Sequence, residues 1–153
     1  MKHLFKVIAL VLLVLIILPA NVFAADMPEE TEDIIYFDDG SYLVTEILSM
    51  DSRALSSKSG SKTSTYYSST GDEQWSAVLS AVFTYNGAAS YCTSCSLDIT
   101  VTNSAWYVVS QEESREGNTA TGELTMGKKF LGITIEKKPL TMTLTCDANG
   151  NLS

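Results

Sequence analysis

The stretch YCTSCS, residues 91–96, contains a Cys-x-x-Cys, the spacing at which dithiol redox centres and zinc clips hold their sulfurs. Each use needs more than spacing. A redox dithiol opens a helix, whose N-terminus stabilises the thiolate. Here Cys92 and Cys95 lead into Leu97, Ile99 and Val101 alternating with Asp98 and Thr100, which is the period of a strand. On a regular strand, residues three apart point to opposite faces, so the two sulfurs are not expected to converge on one partner. Zinc takes about four nitrogen or sulfur ligands. The chain has three cysteines, Cys92, Cys95 and Cys146, and one histidine, His3, in an N-terminal segment expected to be removed. No metal or other cofactor is expected. The cysteines read as structural, with a disulfide that uses Cys146.

Loss of His3 also excludes Ser-His-Asp and Cys-His catalysis. Neighbouring carboxylates remain, at Asp38 with Asp39, Asp72 with Glu73, and Glu112 with Glu113. Glycoside hydrolysis needs two carboxyls facing each other about 5–9.5 Å apart. Adjacent acids in turns read instead as solvated turn formers. DANGN, residues 147–151, has the Asp, Asn and Gly of a calcium loop but lacks the closing glutamate, and reads as a capped turn. Trp75, Trp106, Tyr66, Tyr67, Tyr85 and Tyr107 could stack on a sugar or a peptide. At strand period, such aromatics are expected mainly in the core or in cross-strand pairs. No catalytic residue is assigned, and the chain is not expected to be an enzyme.

The compartment follows from the first residues. Lys2 and Lys6 precede an apolar run over residues 7–18, then Pro19 and NVFAAD, with Val22 and Ala24 at the −3 and −1 positions of a cleavage site. This is the layout of a secretory signal peptide. The apolar run is shorter than the ~20 residues of a transmembrane helix. Cleavage is expected between Ala24 and Ala25, releasing a secreted protein with no stable membrane anchor; retention of the segment as an anchor is the alternative. The removed segment carries two lysines and no acid, so the remainder is more acidic than the formal −8 of the whole chain. Such a surface repels nucleic acid and anionic lipid, and nucleic acid is excluded as a partner.

The rest divides into a leader, a hairpin, a linker and a core. Residues 25–33 are acidic and read as a solvated leader. IIYFDDGSYLVTEIL, residues 34–48, is two β-rich runs around Asp38-Asp39-Gly40, a hairpin. Residues 49–65 are dominated by Ser, Thr, Lys and Gly without an apolar period, and predict a flexible linker. From Tyr66 to Ser153 the pattern alternates with period two. Trp75, Ala77, Leu79, Ala81, Phe83 and Tyr85 share one face before an Asn86-Gly87 turn. Residues 112–118 are expected to form another turn. Ile133 and Ile135 lie on one parity but Leu140, Met142, Leu144 and Cys146 on the other, which predicts a bulge or break at Pro139. Many strands and no long amphipathic helix indicate an all-β, antiparallel β-sandwich over residues 66–153, with the signal segment as the one helix.

The pattern from Trp75 onward (WSAVLSAVFTYNG, NSAW, GNTATGELTM, FLGI and LTCDANGNLS) resembles a family of small, secreted, uncharacterised proteins from Gram-positive bacteria. The LTC-x-x-x-G-x-LS ending is its most specific part, and the YFDDGSY hairpin resembles the same group. The resemblance covers roughly half the chain. It implies an exported β-sandwich with a disulfide between Cys92 and Cys146, and it implies no activity. Cys95 departs from the pattern, in which Ser is usual. Strict alternation points the other way: it puts Cys95 on the face of Leu97, and so favours Cys95–Cys146. Either bond would close a loop of about fifty residues, worth roughly 4 kcal/mol in the chain-entropy picture.

These features point to a secreted, non-enzymatic binding or interaction module with an extracellular or cell-surface partner. A secreted effector, antibacterial or inhibitory, is the alternative, and a carboxylate-dependent hydrolase a distant third. An exposed aromatic patch would favour the first.

Overall fold

Eight strands follow one another along the chain: β1 (Glu30–Tyr36), β2 (Tyr42–Asp51), β3 (Ser57–Tyr67), β4 (Glu73–Tyr85), β5 (Ser90–Val101), β6 (Trp106–Glu116), β7 (Thr119–Phe130) and β8 (Ile133–Thr145). This computed structural model describes residues 30–51 and 56–153; the signal segment, the Ala24/Ala25 junction and the first leader residues lie outside the described residues. β1 to β5 form a five-stranded sheet in sequence order, and β6 to β8 a three-stranded one. All pairings are antiparallel. The two sheets share one core, consistent with the expected sandwich.

Alternation does most of this work. In β4, Trp75, Ala77, Leu79, Ala81 and Phe83 are all buried, and each intervening residue is less so. Leu97 on β5 continues that face. Against it the small sheet sets Trp106, Ala120, Leu124, Met126, Met142 and Leu144. Each large side chain buried this way contributes about 1.5–3 kcal/mol of transfer free energy. At Gly122 an added Cβ would lie 3.1 Å from one Leu97 methyl and 3.3 Å from a Leu79 methyl, so the lack of a side chain there lets the sheets approach.

The chain changes sheet between β5 and β6. There the Thr102 and Asn103 amides donate to the Gln74 carbonyl, and Asn103 Nδ2 and Trp106 Nε1 both donate to Gln74 Oε1. Gln74 is buried, and its amide satisfies two donors that the crossover would otherwise strand.

Four expectations are corrected. Residues 49–65 are not a free linker: Ser49, Met50 and Asp51 end β2 and Ser57–Tyr67 is β3, paired on both sides, while residues 52–55 lie outside the described residues. An apolar period is missing because hydroxyl side chains line the outer face, while inward Gly60 admits Leu152 and inward Ser64 bonds Thr45. β3 therefore joins the β1–β2 hairpin to the main sheet, and Glu30 to Asp33 of the leader are already strand. Only Gly117 and Asn118 turn between β6 and β7; residues 112–116 are strand. The parity change in β8 falls at Ile135, left unpaired between Thr134 and Glu136, and not at Pro139, which pairs with Thr125. β8 is an edge strand, where a proline is tolerated.

Candidate functional site

The cysteines come first because their geometry departs from regular alternation. Val82 pairs with Ser94 but Phe83 pairs with Cys92, which leaves Thr93 as a bulge. The extra residue turns Cys92 onto the face of Cys95, opposite buried Phe83 and Ala81 respectively. The expectation that the two point to opposite faces is thereby overturned: both pack against the core. Cys146 is fully buried. Its amide donates to the Asn118 carbonyl at 3.1 Å, while the Cys92 amide donates to the adjacent Gly117 carbonyl at 2.8 Å. One turn thus tethers both backbones. Cys95 Sγ lies 3.5 Å from the Ser114 carbonyl. All three are free thiols in this structure. Burial pushes the Cys92 thiol up, and Cys95 adds to it, against weaker opposing effects of Arg115 and the Ser94 carbonyl contact. A reactive dithiol shows the reverse shift.

Of the candidate acids, Asp39, Asp72 and Asp147 are engaged in turns, while Glu73, Glu112 and Glu113 lie on strands. Asp39 Oδ1 accepts from the Ser41 amide and hydroxyl, and Gly40, at φ +79°, closes the β1–β2 turn. Asp72 accepts from Thr70 Oγ1 at 2.6 Å and Glu73 from Thr102 Oγ1 at 2.7 Å. Glu112 and Glu113 are successive exposed residues of β6, so they point to opposite faces. In DANGN, Asp147 Oδ1 accepts the amides of Asn149 and Asn151, and Oδ2 accepts Asn151 Nδ2. These bonds, the Asn151 amide foremost, hold the Asp147 carboxyl below its usual range. The capped turn positions the rest of the LTC-x-x-x-G-x-LS ending. Gly150, at φ +92°, lies under the Tyr85 ring, Leu152 pairs with Cys146, and Ser153 exchanges backbone bonds with Thr145.

The aromatics divide between the two faces of the large sheet. Inside, Tyr66 stacks on Trp75 at 5.3 Å, and Trp106 meets both rings edge-on. These three are core, and Tyr66 is fixed further by its hydroxyl bond to Ser41 Oγ. Beside them Asp39, Ser41, Tyr66, Gln74, Trp106 and Lys128 line a cleft of about 100 Å³, far below the ~300 Å³ at which ligand pockets begin. Outside, the registers align Tyr36 with Tyr42 and Tyr42 with Tyr67. Tyr42 stacks on Tyr67 with ring centroids 5.0 Å apart and planes 15° from parallel, and Tyr36 follows at 5.6 Å. The result is a row of three rings across β1, β2 and β3, with Tyr36 71% exposed. Burial, reinforced by the carboxylate of Glu73 and by Tyr42 and Glu46, pushes the Tyr67 hydroxyl above its ordinary value, so it stays a neutral donor. Beyond the row, the same face carries hydroxyl ranks: Ser61, Ser80 and Ser96 in one register line, Thr65, Ser76 and Thr100 in another.

Comparison with protein-family models, curated proteins and solved structures yields no match to this chain. Among the candidate aromatics, only Tyr67 joins the outer row. Tyr85 packs over Gly150, and Tyr107 lies under the Lys129 ammonium at 4.0 Å. Tyr36 and Tyr42 were not among the candidates. Their signal was present in YFDDGSY, because a three-residue turn centred on Asp39 makes its two outer tyrosines cross-strand partners.

Proposed function

We propose that this chain is a secreted, non-enzymatic binding module whose recognition surface is the outer face of the five-stranded sheet. The observation that carries this reading is the tyrosine row of Tyr36, Tyr42 and Tyr67. Tyrosine offers broad contact area at low conformational cost, with an apolar face and a polar tip. A row of rings stacked on one another, with Tyr36 71% exposed at its end and Ser and Thr hydroxyls continuing it, suits a neutral, polyhydroxylated chain, whose C–H groups pack on the exposed ring while its hydroxyls exchange hydrogen bonds. The acidic surface disfavours anionic polymers. The partner is therefore an uncharged cell-surface or extracellular glycan. The signal segment supports export, with cleavage between Ala24 and Ala25, and the resemblance of the LTC-x-x-x-G-x-LS ending supports a Cys92–Cys146 bond formed in the oxidising compartment.

Pull-down on insoluble neutral polysaccharides tests this reading. The exported protein is expected in the bound fraction, and Tyr42→Ala, which removes the central ring, is expected to weaken binding about tenfold or more. Retention of full binding by Tyr42→Ala, or absence of binding to every neutral polysaccharide tried, would remove the support for this face.

A further inference from the structure

The β7–β8 hairpin ends in four large apolar residues within six positions that a folded domain would not be expected to display together. Phe130, Leu131 and Ile133 are 63%, 86% and 69% exposed, with Ile135 at 59% behind them. Phe130 pairs with Ile133, so the connection is the two-residue turn Leu131-Gly132, with φ +51° and +79°. Such turns favour Asn or Gly at the first position, because a branched side chain is crowded when φ is positive. Here that position holds the most exposed leucine of the described residues. Neither packing nor turn chemistry accounts for it.

A second observation identifies what covers the tip. Lys128, Lys129, Lys137 and Lys138 stand on the two strands just behind it, four of the chain's ten basic residues within eleven positions. Lys138 is paired with Glu136 at 3.2 Å and lies over the Phe37 ring, and Lys128 lies over Trp106, so the outward charge of this collar comes from exposed Lys129 and Lys137. Tyr107 lies at the same level, its hydroxyl 2.6 Å from Thr134 Oγ1 and its ring under Lys129. The vertical order is apolar tip, then tyrosine and lysine. That is the order of a segment dipping into a bilayer, with hydrocarbon contact at the end and amphipathic and cationic groups at headgroup depth.

We infer that the β7–β8 hairpin is a reversible membrane-contact element that inserts Phe130, Leu131 and Ile133 into the surface of an anionic bilayer. The net negative charge of the chain does not oppose this docking from a distance equally on all sides: charge beyond a Debye length of about 8 Å is screened, and the collar presents its own sign. Charge complementarity selects an anionic lipid surface over a second copy of this acidic chain. Contact by one small apolar tip gives reversible binding. This inference goes beyond the glycan-binding reading and uses a different sheet.

Vesicle flotation tests it. The purified exported protein is mixed with vesicles of equimolar phosphatidylglycerol and phosphatidylcholine, or of phosphatidylcholine alone. Flotation is expected with the anionic vesicles and to weaken as salt rises. Leu131→Asn suits the positive φ, so it should fold at least as well yet float about tenfold less. Lys137→Gln should lose about fivefold on anionic vesicles. Absence of flotation on anionic vesicles would overturn the inference, as would flotation that Leu131→Asn leaves unchanged. A wild-type dimer in sedimentation that Leu131→Asn converts to monomer would overturn it too, by assigning the tip to a second copy.

Discussion

One unpaired residue, Thr93, decides which way Cys92 faces. Without the bulge Cys92 would point outward and only Cys95 could meet Cys146; with it both reach the core side. Regular alternation could not reveal this, because a bulge leaves no mark in a sequence where every nearby residue is small or polar. The shared Gly117-Asn118 turn favours Cys92 as the partner of Cys146. Non-reducing peptide mapping of the exported protein is expected to recover a Cys92–Cys146 linkage, with reduction lowering stability by roughly 2–4 kcal/mol. Cys95→Ser should then be the mildest of the three serine substitutions, and recovery of a Cys92–Cys95 linkage would refute this. Asp147 carries a second prediction at this scale. Its folded pKa lies below the unfolded value of about 3.9, so its contribution is present above that value and is lost as pH falls through the folded pKa. Asp147→Ala should lower Tm at neutral pH, and the difference from wild type should shrink in acid. A difference independent of pH would mean that the carboxylate's bonds do not hold the C-terminal turn.

At the level of elements, the strands with apolar alternation were legible, β4 most plainly, and so were the turns at Gly40 and Asn86-Gly87. β3 was not. Its inward positions include Gly60 and Ser64, chosen by what lies above them and not by hydrophobicity, so composition alone made it resemble a linker. Gly60 tests that explanation. A Cβ there would fall 2.2 Å from a Leu152 methyl and 2.9 Å from the Leu48 carbonyl oxygen. The second contact is with backbone and cannot swing away. Gly60→Ala is expected to destabilise by about 1–3 kcal/mol in urea unfolding and to expose the C-terminal residues to proteolysis. A variant as stable as wild type would show that β3 does not pack against the C-terminal segment in this way. The alternation of β7 and β8 was legible, but the Leu131-Gly132 turn that joins them was not, and the extension of their hairpin beyond the core appears only once both of its faces are seen to be exposed.

For the whole molecule, net charge and period predicted an acidic, all-β domain, and both sheets follow that pattern. What composition could not supply is location. The tyrosines of β1 and β3, Tyr36 and Tyr67, are 31 positions apart, yet the registers set them in one row with Tyr42. The lysines sit on one hairpin of a negatively charged chain. Function on this account depends on surfaces and not on a catalytic cleft, and the outer face of the large sheet is the central one. Amide chemical-shift mapping during titration with a soluble neutral polysaccharide tests it most directly. Shifts are expected to concentrate at Tyr36, Tyr42, Tyr67 and their neighbours on β1 to β3, with the small sheet unaffected. Shifts confined to β6, β7 and β8, with the tyrosine row silent, would contradict it.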